Sequence, residues 1–159
     1  MRPSPHPARA GHGWYKEMMR TEVTTQIAAP AERVWAILSD VERWPTWTAS
    51  VTSVALDGPL AGDATAKIRQ PKLPVTTWTV TELVPGRSFT WQAVAPGSRA
   101  TGWHEVTPTG DGSCEVRLAI EQAGPLGTVV GWLYRGLTKR YVAMEAAGLA
   151  KQATAPPSP

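Results

Sequence analysis

Three side chains in the interior of the chain carry the chemistry of proton transfer or oxyanion binding: His104, Glu82 and Arg69. Of the three histidines, only His104 lies outside the proline- and glycine-rich N-terminal stretch. An imidazole titrates near neutral pH, so in a pocket it can take a proton and return it. Its facing follows from pairing. Val116, Leu118 and Ile120 alternate with Glu115, Arg117 and Glu121, which marks the apolar set as the inward face. A hairpin through Gly110-Asp111-Gly112 then sets Val106 near Cys114 and His104 near Val116, inward together with Gly102. There His104 is either a general base or ligand anchor, or a structural histidine bonded to a neighbour. The opposite register would point Trp103 and Glu105 inward instead. Glu82 follows Trp78 and Val80 at spacing two, so it shares their face near the mouth of the sheet. A carboxylate there acts as acid or base if its pKa is raised, or pairs with Arg87. Arg69 is ambiguous: either Ala66 and Ile68 face in, or Thr65, Lys67 and Arg69 do. An inward arginine would grip carboxylate or enolate oxygens with two hydrogen bonds.

Eight tryptophans are a second signal. Trp35, Trp78, Trp91 and Trp132 fall in expected ordered elements. Inward indoles stack on flat ligands and donate an N–H, or else they fill a tryptophan-rich core. Leu133, Leu137 and Tyr141, on a helical stripe late in the chain, are the remaining candidates for contact with a ligand. The sequence has no phosphate-cradling glycine loop, nucleotide fingerprint, G-x-S-x-G elbow or metal-ligand spacing, so no cofactor and no metal are expected. A lone Cys114 excludes an internal disulfide and fits a reducing, cytoplasmic setting.

These residues need a frame. Glu22 to Ile27 alternates as a strand does. Pro30 and Glu32 then open a helix whose face is Val34, Ile37, Leu38 and Val41. Ser39-Asp40 can cap a second, very short helix that stops before Pro45. Six strands follow: Val51 to Leu56, Ala64 to Gln70, Val75 to Val84, Ser88 to Ala95, Arg99 to Thr107 and Ser113 to Glu121. Their turns are too short for crossover helices, which requires an antiparallel meander. After Gly124-Pro125 the period changes. Leu126, Val130, Leu133, Leu137, Tyr141 and Met144 form one helical stripe of about 20 residues. Gly127, Gly131, Gly136 and Gly148 interrupt it, either for close packing or to leave room for a ligand.

At this point the chain resembles the polyketide cyclase/dehydrase and START-like superfamily, which includes the birch-pollen-allergen proteins. The carriers are Ala29-Pro30-Ala31-Glu32-Arg33-Val34-Trp35, Trp44-Pro45-Thr46-Trp47, and Trp78 to Arg87 (WTVTELVPGR). Gly110-Asp111-Gly112 before an alternating strand that ends at Gly124-Pro125 completes them. The resemblance implies an α+β, helix-grip fold: a curved antiparallel seven-stranded sheet around a long C-terminal helix, with two short helices after strand 1. Domain boundaries follow, with a disordered leader at 1–18, the folded domain at 19–152 and a disordered tail at 153–159. In the aromatase/cyclases of this superfamily, an arginine and hydroxyl groups in a deep pocket bind and enolise a poly-β-ketone. Arg69 lies in roughly the matching strand, but Thr48-Ala49-Ser50 follows Trp47 with no tyrosine.

The expected function is binding of a hydrophobic or aromatic small molecule in an internal pocket. In enzymatic form it is a cofactor-independent, polyketide-type cyclase, dehydratase or aromatase. The alternatives are a non-catalytic lipid or metabolite carrier or sensor, and a protein-interaction module. Scattered basic residues give a formal charge of +3 without a like-charged run, which argues against a nucleic-acid partner. No apolar run is long enough to span a bilayer, so no membrane partner is expected. A monomer or homodimer fits the size.

Overall fold

A computed structural model of the chain describes residues 19–157. The leader expected at 1–18 lies outside the described residues. The alternating segments form seven strands: β1 (Arg20–Ile27), β2 (Ser53–Leu56), β3 (Thr65–Arg69), β4 (Thr76–Val84), β5 (Ser88–Ala95), β6 (Ser98–Gly110) and β7 (Ser113–Ala123). They make one antiparallel sheet in the order β1-β7-β6-β5-β4-β3-β2. Strands β2 to β7 lie side by side in chain order, as their short turns demand, and only β1 is out of order, added at the edge beside β7. Apolar side chains of alternate positions gather on one face. Val80, Phe89, Val106 and Val116 are almost wholly buried there.

Between β1 and β2 the chain forms α1 (Ala31–Ser39) and a single 3-10 segment, Val41–Thr46. The Pro30 carbonyl accepts from the N–H groups of Arg33 and Val34 and so starts α1. Pro45 does not end the second helix, as expected, but lies inside the 3-10 segment. There the Trp44 carbonyl accepts from the N–H groups of both Trp47 and Thr48, at 3.0 and 2.9 Å.

The expected single C-terminal helix is two. α2 (Pro125–Leu133) and α3 (Arg135–Thr154) meet at Tyr134. The expected stripe is correspondingly wrong in its first half: Leu126 and Leu133 are 56% and 63% exposed. The reason is which face of α2 meets the sheet. A Cβ on Gly127 would lie 3.3 Å from Ser98 Oγ, and one on Gly131 would lie 3.0 Å from Gln122 Cβ. The glycine edge lets the α2 backbone come down onto the ends of β6 and β7, which turns the leucines away. In α3 the buried set is Tyr141, Val142, Ala146, Leu149 and Ala153, a helical stripe that keeps Tyr141 from the one expected but not Leu137 or Met144. The folded part also runs past residue 152, because Ala153 is buried and Arg33 donates to the Ala155 carbonyl at 2.8 Å.

Gly148 has a packing role. A Cβ there would fall 2.2 Å from the Trp47 carbonyl oxygen, well inside contact distance. We expect Gly148→Ala to destabilise by about 1–3 kcal/mol despite alanine's better helix propensity, because backbone must move to admit the methyl. Leu149→Ala should cost roughly 2–5 kcal/mol, as for other fully buried leucines. Leu133→Ala should change stability by less than about 0.5 kcal/mol. Urea midpoints of the three variants test the new assignment of buried and exposed faces.

Candidate active site

The concave face of the sheet is filled with rings. Trp44 enters from the 3-10 segment, its indole N–H held by the Leu38 carbonyl at 2.9 Å. Its ring centroid lies 5.4 Å from both Trp91 and His104 and 6.4 Å from Phe89. Trp78 of β4 stands beside Trp91 of β5 at 5.7 Å. Gly102 is needed in this wall: a Cβ there would lie 2.8 Å from the Trp91 indole nitrogen. The strand tolerates glycine because the indole takes the space of the missing side chain.

His104 is inward and 6% exposed. The register differs from that expected. His104 pairs with Leu118 and Val106 with Val116, two residues further along β7. The strands run closer to the turn than expected, with Gly110 opposite Ser113. A shift of two preserves the face, since side chains alternate with period two. The imidazole stacks on Phe89 at 4.2 Å and 11° between planes. Its Nδ1 lies 3.4 Å from the Phe89 carbonyl oxygen. A carbonyl only accepts, so this partner assigns the proton to Nδ1 and leaves Nε2 as a free acceptor. Nε2 faces Glu145 Oε1 at 3.9 Å.

Glu145 projects from α3 into the same space, its side chain 13% exposed. Desolvation decides both protonation states. It depresses the His104 pKa to about 3, against a smaller upward pull from the Phe89 carbonyl. It raises the Glu145 pKa to about 8. At neutral pH the pair is therefore an uncharged imidazole facing a protonated carboxyl. Charging both to make an ion pair would desolvate two ions for one contact longer than a hydrogen bond. A basic nitrogen and an acidic O–H thus converge on one apolar pocket. Trp44, Trp78 and Trp91 line it, together with Leu118, Ile120 and Val142, and Gln70 adds a further polar group. The free space is about 60 Å³, the room of a few waters at most. It is smaller than the deep pocket implied by the resemblance, because the indoles occupy the concavity.

The other expected site residues distribute unevenly. Trp78 and Trp91 line the pocket. Glu82 does not reach it. A bulge between Val80 and Glu82 adds one residue to β4, so Leu83 opposite Phe89 takes the inward place and Glu82 is exposed. No ion pair joins Glu82 to Arg87 among the described residues. Arg69 is exposed because Ala66 and Ile68 claim the inner face of β3. Trp35 meets Phe89 edge-on at 6.2 Å from α1, behind the pocket wall. Tyr141 is buried, but its hydroxyl is committed to the Pro71 carbonyl. Leu137 is half-buried and Leu133 faces away, and neither lines the pocket. Sequence reasoning missed Glu145 and the central position of Trp44. A signal for Glu145 was present: it is the one charged residue between Arg140 and Lys151, at helical spacing from Val142 and Leu149.

A family model described as polyketide cyclase / dehydrase and lipid transport matches residues 18–154. Among curated proteins, none matches this chain in sequence. Among solved structures, the Zhui aromatase/cyclase from Streptomyces sp. R1128 superposes with a TM-score of 0.69 at 18% identity, over 84% of this chain and 92% of that one. A truncated norcoclaurine synthase from Thalictrum flavum gives 0.68 at 14% identity, over 87% and 94%. A START superfamily protein from Mycobacterium smegmatis gives 0.66 at 19% identity, over 85% and 99%. At such identities the likeness is one of fold.

The buried pair has a consequence for stability. Glu145 loses its proton near pH 4.5 when unfolded and near 8 when folded. Its contribution is complete below pH 4.5 and is lost as pH rises to about 8. His104 behaves oppositely: its contribution is complete above 6.5 and is lost as pH falls toward 3. Where those two ranges overlap, from pH 4.5 to 6.5, the slopes oppose each other, and from about pH 6.5 to 8 only the loss from Glu145 remains. We expect the protein to lose about 2 kcal/mol over that interval, one proton's worth per pH unit. Urea unfolding of Glu145→Gln should show no such slope; a slope equal to the wild type's would mean that Glu145 is ionised in the folded state.

Proposed function

The chain belongs to the polyketide cyclase/dehydrase and lipid transport family, and we propose that its tryptophan-lined pocket binds a planar, largely apolar carbonyl compound and promotes its cyclisation or dehydration without a cofactor. The observation that carries this reading is the facing of His104 Nε2 and Glu145 Oε1 across 3.9 Å in that pocket. One group is a base with its lone pair free. The other is an acid with its proton retained at neutral pH.

For a β-hydroxyketone the step balances as follows. His104 Nε2 takes the proton from the carbon next to the carbonyl. The electron pair of that C–H bond becomes the new C=C bond as the C–O bond to the hydroxyl breaks. Glu145 gives its proton to the departing hydroxyl, which leaves as water. His104 is then a cation and Glu145 an anion, and return of the proton from one to the other restores the pair. The indole faces hold a flat substrate in place, and such orientation contributes several kcal/mol to the barrier reduction. With a free space of about 60 Å³, a ring-sized substrate enters only as the indoles part, so binding and ring rearrangement are coupled. A second reading has its own support. The apolar surface of α2 favours a protein-interaction module.

The test is dehydration of a naphthyl β-hydroxyketone, followed by absorbance of the conjugated enone, with binding measured separately by tryptophan quenching. We expect His104→Gln and Glu145→Gln each to lower kcat by about 10²–10⁴-fold while the compound still binds. Binding without turnover in the wild-type protein would reject the enzymatic reading in favour of a carrier or sensor. No binding at all would leave the interaction-module reading.

A further inference from the structure

The helix α2 is turned inside out. Leu126, Val129, Val130 and Leu133 repeat at i, i+3, i+4 and i+7, the pattern of a core-facing helix, yet all four are exposed. The opposite edge, Gly127 and Gly131, is the one that touches the sheet. Trp132 and Tyr134 are exposed beside the stripe. Six of the nine large apolar side chains exposed among the described residues therefore fall within Leu126–Tyr134, so the surface is a concentrated patch rather than ordinary scatter.

Charge says what the patch meets. From Gln122 to Met144 the sequence holds no aspartate or glutamate, and its charged residues are Arg135, Lys139 and Arg140, all exposed. They follow the patch within the first two turns of α3. Arg99, also exposed, lies in β6 next to Ser98, on which Gly127 packs. An apolar helix face with tryptophan and tyrosine at its edge and cations beside it is the composition of an element that lies in a bilayer interface. No helix among the described residues is long and apolar enough to cross a membrane. That observation, which underlay the expectation of no membrane partner, does not bear on a helix lying in the surface plane.

We propose that α2 and the start of α3 dock this protein onto anionic lipid surfaces, the Leu126/Val129/Val130/Leu133 face entering the acyl boundary and Arg135, Lys139 and Arg140 meeting the headgroups. The neighbouring cations add electrostatic attraction that neutral lipid does not provide, and salt screens it. This inference is independent of the chemistry at His104 and Glu145.

Flotation of the full chain with phosphatidylcholine vesicles, with and without 30% phosphatidylglycerol, tests it. The expected result is recovery with the anionic vesicles and about tenfold or greater loss of partitioning in Lys139→Glu/Arg140→Glu or at high salt. Trp132→Ser/Leu133→Ser should also stay behind, while its circular dichroism and urea midpoint match the wild type. Equal binding to neutral and anionic vesicles would overturn the headgroup contact. Absence of vesicle binding would overturn the proposal, as would a dimer seen in sedimentation that Trp132→Ser/Leu133→Ser dissolves, since the face would then belong to a second copy.

Discussion

The ring of Trp44 occupies the hollow of the sheet, and most of the site follows from that. Its N–H is tied to the end of α1 through the Leu38 carbonyl, and its faces meet Trp91, Phe89 and His104. An indole placed there removes water from the concavity. Desolvation then sets the protonation of His104 and Glu145, and ring volume sets the free space at about 60 Å³. The same side chain thus fixes the chemistry available to the pocket and the size of what can enter it. Because aromatic packing is tight, a change in one ring propagates to its neighbours.

Two buried ionisable groups are ordinarily a liability. Here each is tolerated in its neutral form, which avoids the larger cost of burying charge. The imidazole keeps one hydrogen bond to the Phe89 carbonyl and stacks on the Phe89 ring. The same desolvation weakens His104 as a base and keeps the Glu145 carboxyl protonated up to about pH 8.

The two ends of the C-terminal region solve different problems with the same residue type. Gly148 lets α3 press against the Trp47 carbonyl, which locks the helix beside the element that delivers Trp44. Gly127 and Gly131 let α2 approach the sheet by backbone alone, which frees its apolar side chains for the surface. Stability is concentrated in the first arrangement, and an exposed apolar patch is left by the second.

The strand alternation, the turn residues and the change of period at Gly124-Pro125 determined the element order and the antiparallel meander, because these depend on local geometry and on neighbours in the chain. The inward facing of His104 was also legible, since an error of two in register leaves the face unchanged. Tertiary structure alone decided the rest. The bulge in β4 turned Glu82 outward, a displacement by one residue that no alternation pattern reveals. The break at Tyr134 and the glycine edge of α2 reversed the facing of Leu126 and Leu133, because helical spacing identifies a stripe but not what covers it. The pairing of His104 with Glu145 joins positions 41 residues apart through the packing of α3 on the sheet. Such a contact is a property of the closed fold, and so are the shifted pKa values, which arise from the exclusion of water.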